Sequence, residues 1–405
     1  MTVTREAGAA RLLAGWQRTG RAADFAEHLA NYGPLPDAAG LIDRVAEAEL
    51  RGRGGAGFPT AIKLRAVAAG RRGGVVIANG CEAEPASEKD HALLSVAPHL
   101  VFDGAQLAAR AVGATSVLVC VHSDDPLAAS VTLALAQRRG DPVPTRIVEV
   151  PARFVASEES ALVNFVNTGV AKPTTKPPRP AERGVRGRPT LVDNVETLAA
   201  IALLARGHQL ASMLVTVGGA VGVAGVHEIP MSSTIGAAFA AAGGETQPLQ
   251  AVLAGGYGGT WLPMPAAGGF SLEKRNFRGL GLLLALPMRA CGIAETATIL
   301  RYLAEESARQ CGPCMFGLPA IAEDFALLAA GRTDQRTLHR LRGRLGVIPG
   351  RGACGHPDGA ARLAATALHV FERDVHAHAM GRPCGFAAQR PWFAPKQRFR
   401  ETGWS

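Results

Sequence analysis

Apolar residues repeat at helical spacing through the first fifty residues, and from residue 74 short apolar runs alternate with longer amphipathic stretches. The short runs predict strands at residues 74–78, 116–121 and 146–150, and the longer stretches predict helices at 91–112 and 126–139. Such an alternation is typical of a parallel sheet covered by helices. We therefore predict an N-terminal helical segment (residues 1–50) followed by an α/β domain (residues 51–210).

The pattern changes twice in the second half of the chain. Short β runs and glycine pairs surround one small helix between residues 214 and 262. They predict a compact unit of the β-grasp kind, which we assign to residues 211–268. Helical periodicity then returns and predicts four helices with short connections, which suggests a helical bundle over residues 290–385. The fold class is therefore α/β with a β-grasp insert and a C-terminal bundle.

The composition indicates a folded protein that acts away from nucleic acid. Of the 405 residues, 47% are apolar and 19% are charged, and the longest apolar runs are far shorter than the roughly 20 residues that span a bilayer. The net charge of +9 comes mostly from arginine, and aromatic residues are not interleaved with it, which argues against nucleic-acid binding. A basic surface could steer an acidic partner such as a ferredoxin. We expect a cytoplasmic protein.

The seven cysteines favour metal binding over disulfides, because the cytoplasm keeps thiols reduced. Cys311 and Cys314 are separated by two residues, and Cys354 follows on another predicted loop. Two thiolates on one turn and a third on another loop is a layout that iron–sulfur clusters use. The alternative is that all three are free buried thiols.

A glycine-rich loop runs from Gly52 to Thr60 and fits the pattern G-x-G-x-x-G. A helical segment precedes it where a dinucleotide-binding fingerprint requires a strand. The glycines would still let backbone N–H groups approach an anion or a flat ring, and a helix predicted from Thr60 would point its positive end at the loop. The loop is therefore either a ligand site or a tight structural turn.

Six segments in the same order resemble the F-type flavoprotein component of bacterial NADH:quinone oxidoreductase, or respiratory complex I. The first is RGRGGAGFPT at residues 51–60 with Lys63, which resembles the flavin loop of that family. The others are residues 79–85 followed by Lys89 and Asp90, residues 157–161, 176–178 and 189–197, and residues 306–314 with the distant Cys354. The matches extend from about residue 50 to 356.

The resemblance implies a Rossmann-like but distinct FMN domain, an SLBB-like β-grasp insert and a bundle that holds a [4Fe–4S] cluster. FMN would be held by Gly52, Gly54, Gly55, Ala56, Gly57, Phe58 and Lys63, by Asn79 near its ring, and by Asp193, Asn194 and Thr197 near its phosphate. Glu82 would meet the nicotinamide as the catalytic residue and Glu159 the ribose of NADH, with Glu84, Glu158 and Lys176 beside them. Taken singly, these carboxylates could instead stabilise helix N-termini.

The cluster ligands implied by the resemblance are Cys311, Cys314 and Cys354. Where the family has a fourth cysteine, directly after Glu-Ser, this chain has Ala308. A cluster would then have three thiolates and an open iron, or a fourth ligand from His356, Cys291 or Cys384. Structural zinc prefers four closed ligands and meets the same shortage.

The predicted nucleotide pocket also departs from the family. Leu64-Arg65-Ala66 and Arg179 stand where the family has aromatic residues, and Cys81 replaces an aspartate. Two functions follow as hypotheses. In the first, the chain oxidises NADH with FMN and passes single electrons through the cluster to a ferredoxin or two-iron subunit. In the second, it is a paralogue without NADH oxidation that serves as a one-electron relay or assembly subunit, attached through partners to a membrane reductase on the inner face.

Overall fold

The computed structural model describes residues 12–70, 73–123, 125–273, 281–395 and 403–404. The predicted N-terminal helical segment therefore lies partly outside the described residues. From residue 12 onward that segment contains three short helices, α1 (Ala14–Thr19), α2 (Phe25–Tyr32) and α3 (Leu41–Glu47). The last of these leads directly into the glycine loop, so a helix precedes the loop as the sequence indicates.

A four-stranded parallel sheet forms the α/β part, with strand order β3-β2-β1-β4. Its strands are β1 (Gly74–Asn79), β2 (Ala114–His122), β3 (Thr145–Val150) and β4 (Thr190–Asn194). The helices are α4 (Thr60–Ala68), α5 (Lys89–Val96), α6 (Pro98–Ala111), α7 (Pro126–Ala136), α8 (Glu159–Thr168) and α9 (Val195–Ala205). Three strands and the parallel sheet are confirmed, whereas β4 was not predicted as a strand.

Both faces of this sheet are buried. Val76 and Ala78 point into the core under α6 and α9, while Val75 and Ile77 point into a second core beside α8. The helices α6 and α9 approach so closely that a Cβ atom on Gly104 would lie 1.8 Å from the carbonyl oxygen of Leu198. Only glycine permits that crossing.

The helix predicted at 91–112 is two helices, α5 and α6. Pro98 occupies the first position of α6, and Ala97 before it has φ −140° and ψ 47°. A residue that precedes proline is displaced from helical geometry, which ends α5. No single helix in the described part of the chain has the length and apolar character of a membrane span; the pair α5 and α6, bent by 97°, meets those criteria only when both are counted together.

The β-grasp part is a five-stranded mixed sheet with strand order β6-β5-β9-β7-β8. Its elements are β5 (Ser212–Gly219), β6 (Gly225–Pro230), α10 (Ile235–Ala241), β7 (Leu249–Ala254), β8 (Thr260–Pro263) and β9 (Leu282–Pro287). The central strand β9 lies beyond residue 268, so the predicted boundary leaves it out. Leu283 and Ala285 of β9 face α10, while Leu282, Leu284 and Leu286 face the C-terminal helices.

The C-terminal part is a bundle, as predicted. It comprises α11 (Gly292–Glu305), a π-helical turn (Pro313–Gly317), α12 (Leu318–Ala329), α13 (Gln335–Val347), α14 (His356–Val370) and α15 (Glu372–Ala379). Its apolar side chains share one core with the outer face of the β-grasp sheet. The bundle and the sheet are therefore packed as one body against the α/β part, which determines where a cavity can form.

Candidate functional site

A cavity of about 710 Å³ opens where the strand order of the parallel sheet reverses, between β1 and β4. Asn79 and Asn194 end these two strands and lie opposite each other in the strand register. Ligands of open parallel sheets bind at this position, outside the carboxyl ends of the strands. The volume lies within the range of about 300–1,000 Å³ that is usual for cofactor sites.

The cavity wall brings together nearly all the predicted cofactor-binding residues. Every one of them lines it except Thr197. Thr197 lies just behind, where its Oγ1 accepts a hydrogen bond of 2.9 Å from the backbone N–H of Arg53 and so positions the glycine loop. The β-grasp part contributes Gly255 and Gly258, and the bundle contributes Cys354 and His356.

The glycine loop is closed by its own backbone. The N–H of Gly52 donates to the carbonyl of Phe58 at 2.9 Å, and Gly55 and Gly57 have φ of 103° and 61°, which favour glycine. A Cβ atom on Gly54 would lie 3.3 Å from the Cβ of Asn194. The loop therefore fits closely against the end of β4, and α4 begins at Thr60 with its positive end towards the cavity.

Asp193 is a buried carboxyl group on the cavity wall. The Nζ of Lys63 lies 3.5 Å from its Oδ1 and donates to the carbonyl of Val192 at 2.9 Å. Burial raises the pKa of Asp193 to about 6, although Lys63 opposes the shift. Within the part of the chain that the structure describes, its Oδ2 has no hydrogen-bond partner. A buried polar atom without a partner is costly, so a ligand that donates a hydrogen bond fits this position.

Lys89 and Asp90 form a buried ion pair whose role the sequence did not suggest, although the two residues were part of the resemblance. The Nζ of Lys89 lies 2.6 Å from Asp90 and 3.0 Å from Glu196. Burial raises the pKa of Asp90 to about 7, because Lys89 compensates only in part. Burial lowers the pKa of Lys89, but the surrounding carboxylates outweigh burial and raise it, which keeps Lys89 charged.

Glu82 and Glu158 both act at helix N-termini, as the alternative interpretation of these carboxylates predicts. Glu82 Oε2 accepts hydrogen bonds from the backbone N–H groups of Asp90 and His91. Glu158 is the N-cap of α8 and accepts from Ser160 and Ala161. Both side chains also line the cavity, so helix capping holds them in place beside a ligand.

Lys176 connects the two glutamates of α8. Its Nζ donates to Glu158 at 2.6 Å and to Glu159 at 2.8 Å. Burial alone would raise the pKa of Glu159, but Lys176 outweighs it and holds that pKa below its usual value. Glu159 is therefore an anionic acceptor at the cavity edge, suited to the hydroxyls of a sugar.

Aromatic side chains are few around the cavity. Phe58 and Phe154 line it among the described residues, together with Ala66 and Arg179 at two of the positions where the resemblance led us to expect aromatic rings. Leu64 is fully buried in the core and does not face the cavity. Phe154 was not predicted, because nothing in its sequence surroundings distinguishes it from a core residue.

Cys311, Cys314 and Cys354 are brought together at one end of the bundle. Cys311 precedes the π-helical turn, Cys314 lies in it, and Cys354 lies just before α14. Burial raises the pKa of Cys314 well above its usual value, with Cys311 and Cys354 adding to the effect, and burial raises that of Cys354 to about 11. Metal binding is what would make these thiols give up their protons.

His356 remains a candidate for the fourth ligand. Its Nε2 donates to the carbonyl of Leu303 at 2.8 Å, which leaves Nδ1 unprotonated. In the described ranges Nδ1 has no hydrogen-bond partner, and burial lowers the pKa of His356 to about 4. A neutral imidazole with a free lone pair two residues from Cys354 fits a metal ligand.

Cys291 and Cys384 are not placed to be the fourth ligand. Cys291 is the N-cap of α11, whereas Cys311 follows the other end of that helix. At about 1.5 Å per residue, the 14 residues of α11 extend for about 21 Å. Cys384 lies next to Cys291 and influences its pKa. The expectation that either residue completes the cluster is therefore wrong.

The fold and this constellation of residues define a flavin-binding, iron–sulfur electron-transfer protein. Residues 45–203 match the Nuo51 FMN-binding domain, and residues 294–378 match the NADH-ubiquinone oxidoreductase-F iron-sulfur binding region. The chain belongs to the family of F-type flavoprotein components of NADH:quinone oxidoreductase.

Relatives of similar length agree with this assignment. The chain is 27% identical to the second F-type component of the NADH-quinone oxidoreductase of Rhizobium meliloti, over 85% of this chain and 90% of the relative. It is 29% identical to the F-type component of the Salmonella typhimurium enzyme, over 83% of this chain and 84% of the relative. It also resembles a crystal structure of an NAD+-reducing [NiFe]-hydrogenase in the H2-reduced state, with a TM-score of 0.82 and 29% identity over 93% of this chain and 68% of that one.

Proposed function

We propose that the chain oxidises NADH with bound FMN and passes single electrons through an iron–sulfur centre to a protein partner. The observation that carries the proposal is that Cys354 and His356 line the same cavity as the glycine loop and Asn79. The flavin site and the thiolates therefore share one wall. A hydride cannot enter an iron–sulfur cluster, and FMN supplies the chemistry that accepts two electrons together and releases them one at a time.

The chain's own residues divide this work. Backbone N–H groups of the glycine loop and the start of α4 would hold the flavin nucleotide, with Lys63 adding a positive charge. Asp193 Oδ2 would accept a hydrogen bond from it, and Asn79 is fixed by its own bonds to Ser157 and Cys81. Asn194 is fixed in the same way by Asp90, through a hydrogen bond of 2.6 Å. These contacts orient the site before a ligand enters.

The nucleotide substrate would bind at the edge formed by α8. Glu159 would accept from ribose hydroxyls, and Lys176 holds it in place and keeps it charged. Glu82, fixed by its bonds to α5, would face the nicotinamide. Arg179 replaces an aromatic surface with a guanidinium plane, which can stack and also attract a phosphate.

The first experiment uses protein reconstituted anaerobically with FMN, iron and sulfide. We expect bound flavin and iron–sulfur absorption in the visible spectrum, and rapid bleaching of the flavin when NADH is added. Protein that folds but retains no flavin after gel filtration would contradict the proposal. Flavin that binds and is not bleached by NADH would reject only the NADH step.

A matched pair of variants tests the role of Glu159. Glu159→Gln removes the charged acceptor at the cavity edge, so we expect the KM for NADH to rise about tenfold, which corresponds to about 1.4 kcal/mol. Flavin content should stay unchanged. The control is Glu149→Gln on β3, which lies outside the cavity lining and should alter neither quantity. An unchanged KM in Glu159→Gln would remove that residue from the nucleotide site.

A second candidate is a one-electron relay that keeps the flavin but has lost NADH oxidation. Two observations favour it: Ala308 stands at a ligand position of the family, and the cavity has few aromatic side chains. The partner in either case would be an electron-transfer protein such as a ferredoxin or two-iron subunit. The homologues are subunits of larger complexes, which supports a cytoplasmic location, either free or peripheral on the membrane through partners.

A further inference from the structure

The bundle contains a second group of metal-ligating side chains, at the end opposite to Cys311 and Cys314. Cys291, His378 and Cys384 each present one ligand atom, and the three atoms all lie within 4.8 Å of one another. Cys291 is at the start of α11, His378 is in the last turn of α15, and Cys384 follows that helix. We propose that these three residues form a zinc site separate from the iron–sulfur centre.

The distances and donors suit a single zinc ion. Cys291 Sγ and His378 Nε2 are 3.8 Å apart, and two ligands of tetrahedral zinc with ordinary bond lengths would be separated by about 3.6 Å. Two thiolates and one neutral imidazole balance the charge of Zn²⁺ and leave the fourth position for a water molecule. Cys384 is only partly buried, so that position has access to solvent.

His378 is held in the form that binds metal. Its Nδ1 donates to the carbonyl of Leu328 at 3.0 Å, and its Nε2 accepts from the backbone N–H of Cys384 at 3.1 Å. The proton is therefore on Nδ1 and the lone pair is on Nε2, where it faces Cys291. A hydrogen bond from the second ring nitrogen to a carbonyl is the usual outer contact of a zinc-bound histidine. His378 is fully buried, so a surface role does not explain it.

Zinc binding would release the thiol protons and join separate elements. Burial raises the pKa of Cys291 to about 12, so the thiol is protonated without metal and loses its proton when the Zn–S bond forms. The ion would tie the start of α11 to the segment after α15. That segment continues to Trp392 and Phe393, whose N–H groups donate to Glu295 of α11. The site would thus fasten the C-terminal segment to the bundle.

The test measures zinc and iron separately in the full-length protein, by mass spectrometry of the metals. We expect about one zinc per chain after excess metal is removed. Cys384→Ser and His378→Gln should each reduce zinc at least tenfold and leave iron unchanged. Cys311→Ser should reduce iron and leave zinc unchanged. Cys120→Ser, a buried thiol on β2, serves as the control that changes neither.

Three results would overturn the site: no stoichiometric zinc in the unsubstituted chain, zinc retained by both variants, or zinc lost together with iron in Cys311→Ser. If the ligand variants fail to fold, Co²⁺ added to unsubstituted reduced protein decides the question. Thiolate-to-cobalt absorption supports the site when prior Zn²⁺ prevents it, and no such absorption rejects it. Failure here leaves the flavin and iron–sulfur measurements unaffected.

Discussion

At Asp193, one carboxyl group is expected to make stability depend on pH. Its pKa is 3.8 in the unfolded chain and about 6 in the folded one. Between these values the native state binds more protons, so the free energy of unfolding falls as pH rises from about 4 to 6. The shift corresponds to about 3 kcal/mol. We expect flavin-free Asp193→Asn to exceed the unsubstituted protein in stability by up to that amount at pH 7.5, with the difference vanishing below pH 4.

Urea unfolding at several pH values measures this difference. Subtracting the unsubstituted protein removes the opposite trend from His99 and His356, whose pKa values burial lowers to about 4. Asp43→Asn is the control, because that side chain is 76% exposed and should show no such difference. A stability difference that stays constant with pH would mean that Asp193 does not titrate as described.

Ala308 is the residue at which the cluster site is incomplete. It lies in the loop between α11 and Cys311, where the family supplies a thiolate. We expect Ala308→Cys to raise the iron content of reconstituted protein towards about four atoms per chain and to slow its loss in air, because four thiolates close the cage. Iron analysis and electron paramagnetic resonance measure both effects.

The comparison variant Ala205→Cys adds a half-buried thiol at the end of α9, far along the chain from the cluster loop. It should leave iron content unchanged. Equal iron in Ala308→Cys and the unsubstituted protein would indicate that His356 or solvent already completes the site, and His356→Ala in each background then separates these two possibilities.

Among the elements, the glycine loop and the end of β4 form the tightest contact of the flavin site. In Gly54→Ala the new methyl group would lie 3.3 Å from the Cβ of Asn194, closer than most such contacts. Asn194 is the N-cap of α9 and cannot move without weakening that cap. We expect flavin affinity to fall about tenfold, or about 1.4 kcal/mol.

Flavin fluorescence titration checks this expectation. Gly343→Ala on α13 is the matched control, since no atom lies within 4 Å of its added methyl group. Full flavin affinity in Gly54→Ala would show that the loop yields at this contact and that its fit does not depend on glycine.

Elements with alternating or helical patterns were predictable, and those buried on two sides were not. β1 and β2 could be recognised because their apolar runs lie between clear helices. The run that forms β9 is apolar throughout because α10 covers one face and the bundle covers the other. A continuous apolar run carries no period, so it cannot be assigned to a strand or a sheet from sequence.

The site shows the same division. The glycine loop and the carboxylate segments could be placed from their order along the chain, and the sheet brings them to one crevice. The contributions of His356 and Phe154 could not be predicted as parts of that crevice, because they come from contacts between the bundle and the α/β part. Cys291 and Cys384 were candidates for the cluster because sequence gives no measure of the length that α11 inserts between them and Cys311.

In the whole molecule, the C-terminal segment connects the bundle to the cavity wall. Phe393 is 5% exposed and packs on Trp261 of β8, with ring centroids 6.2 Å apart. The hydroxyl of Tyr257 donates to the carbonyl of Phe393, and the N–H of Tyr257 donates to Glu84 on the wall. Loss of the Phe393 ring should therefore affect both the bundle core and the position of Glu84.

Phe393→Ala and Trp392→Ala test this connection as neighbouring aromatic residues that differ in burial. Removing the buried ring leaves a cavity and should lower the free energy of unfolding by about 3–5 kcal/mol. Trp392 is 44% exposed, so its removal should cost about 1 kcal/mol or less. Chemical denaturation measures both values. Similar losses in the two variants would mean that the segment is held by its backbone bonds to Glu295, and then Glu295→Gln should be the more damaging substitution, since both N–H groups donate to that carboxylate.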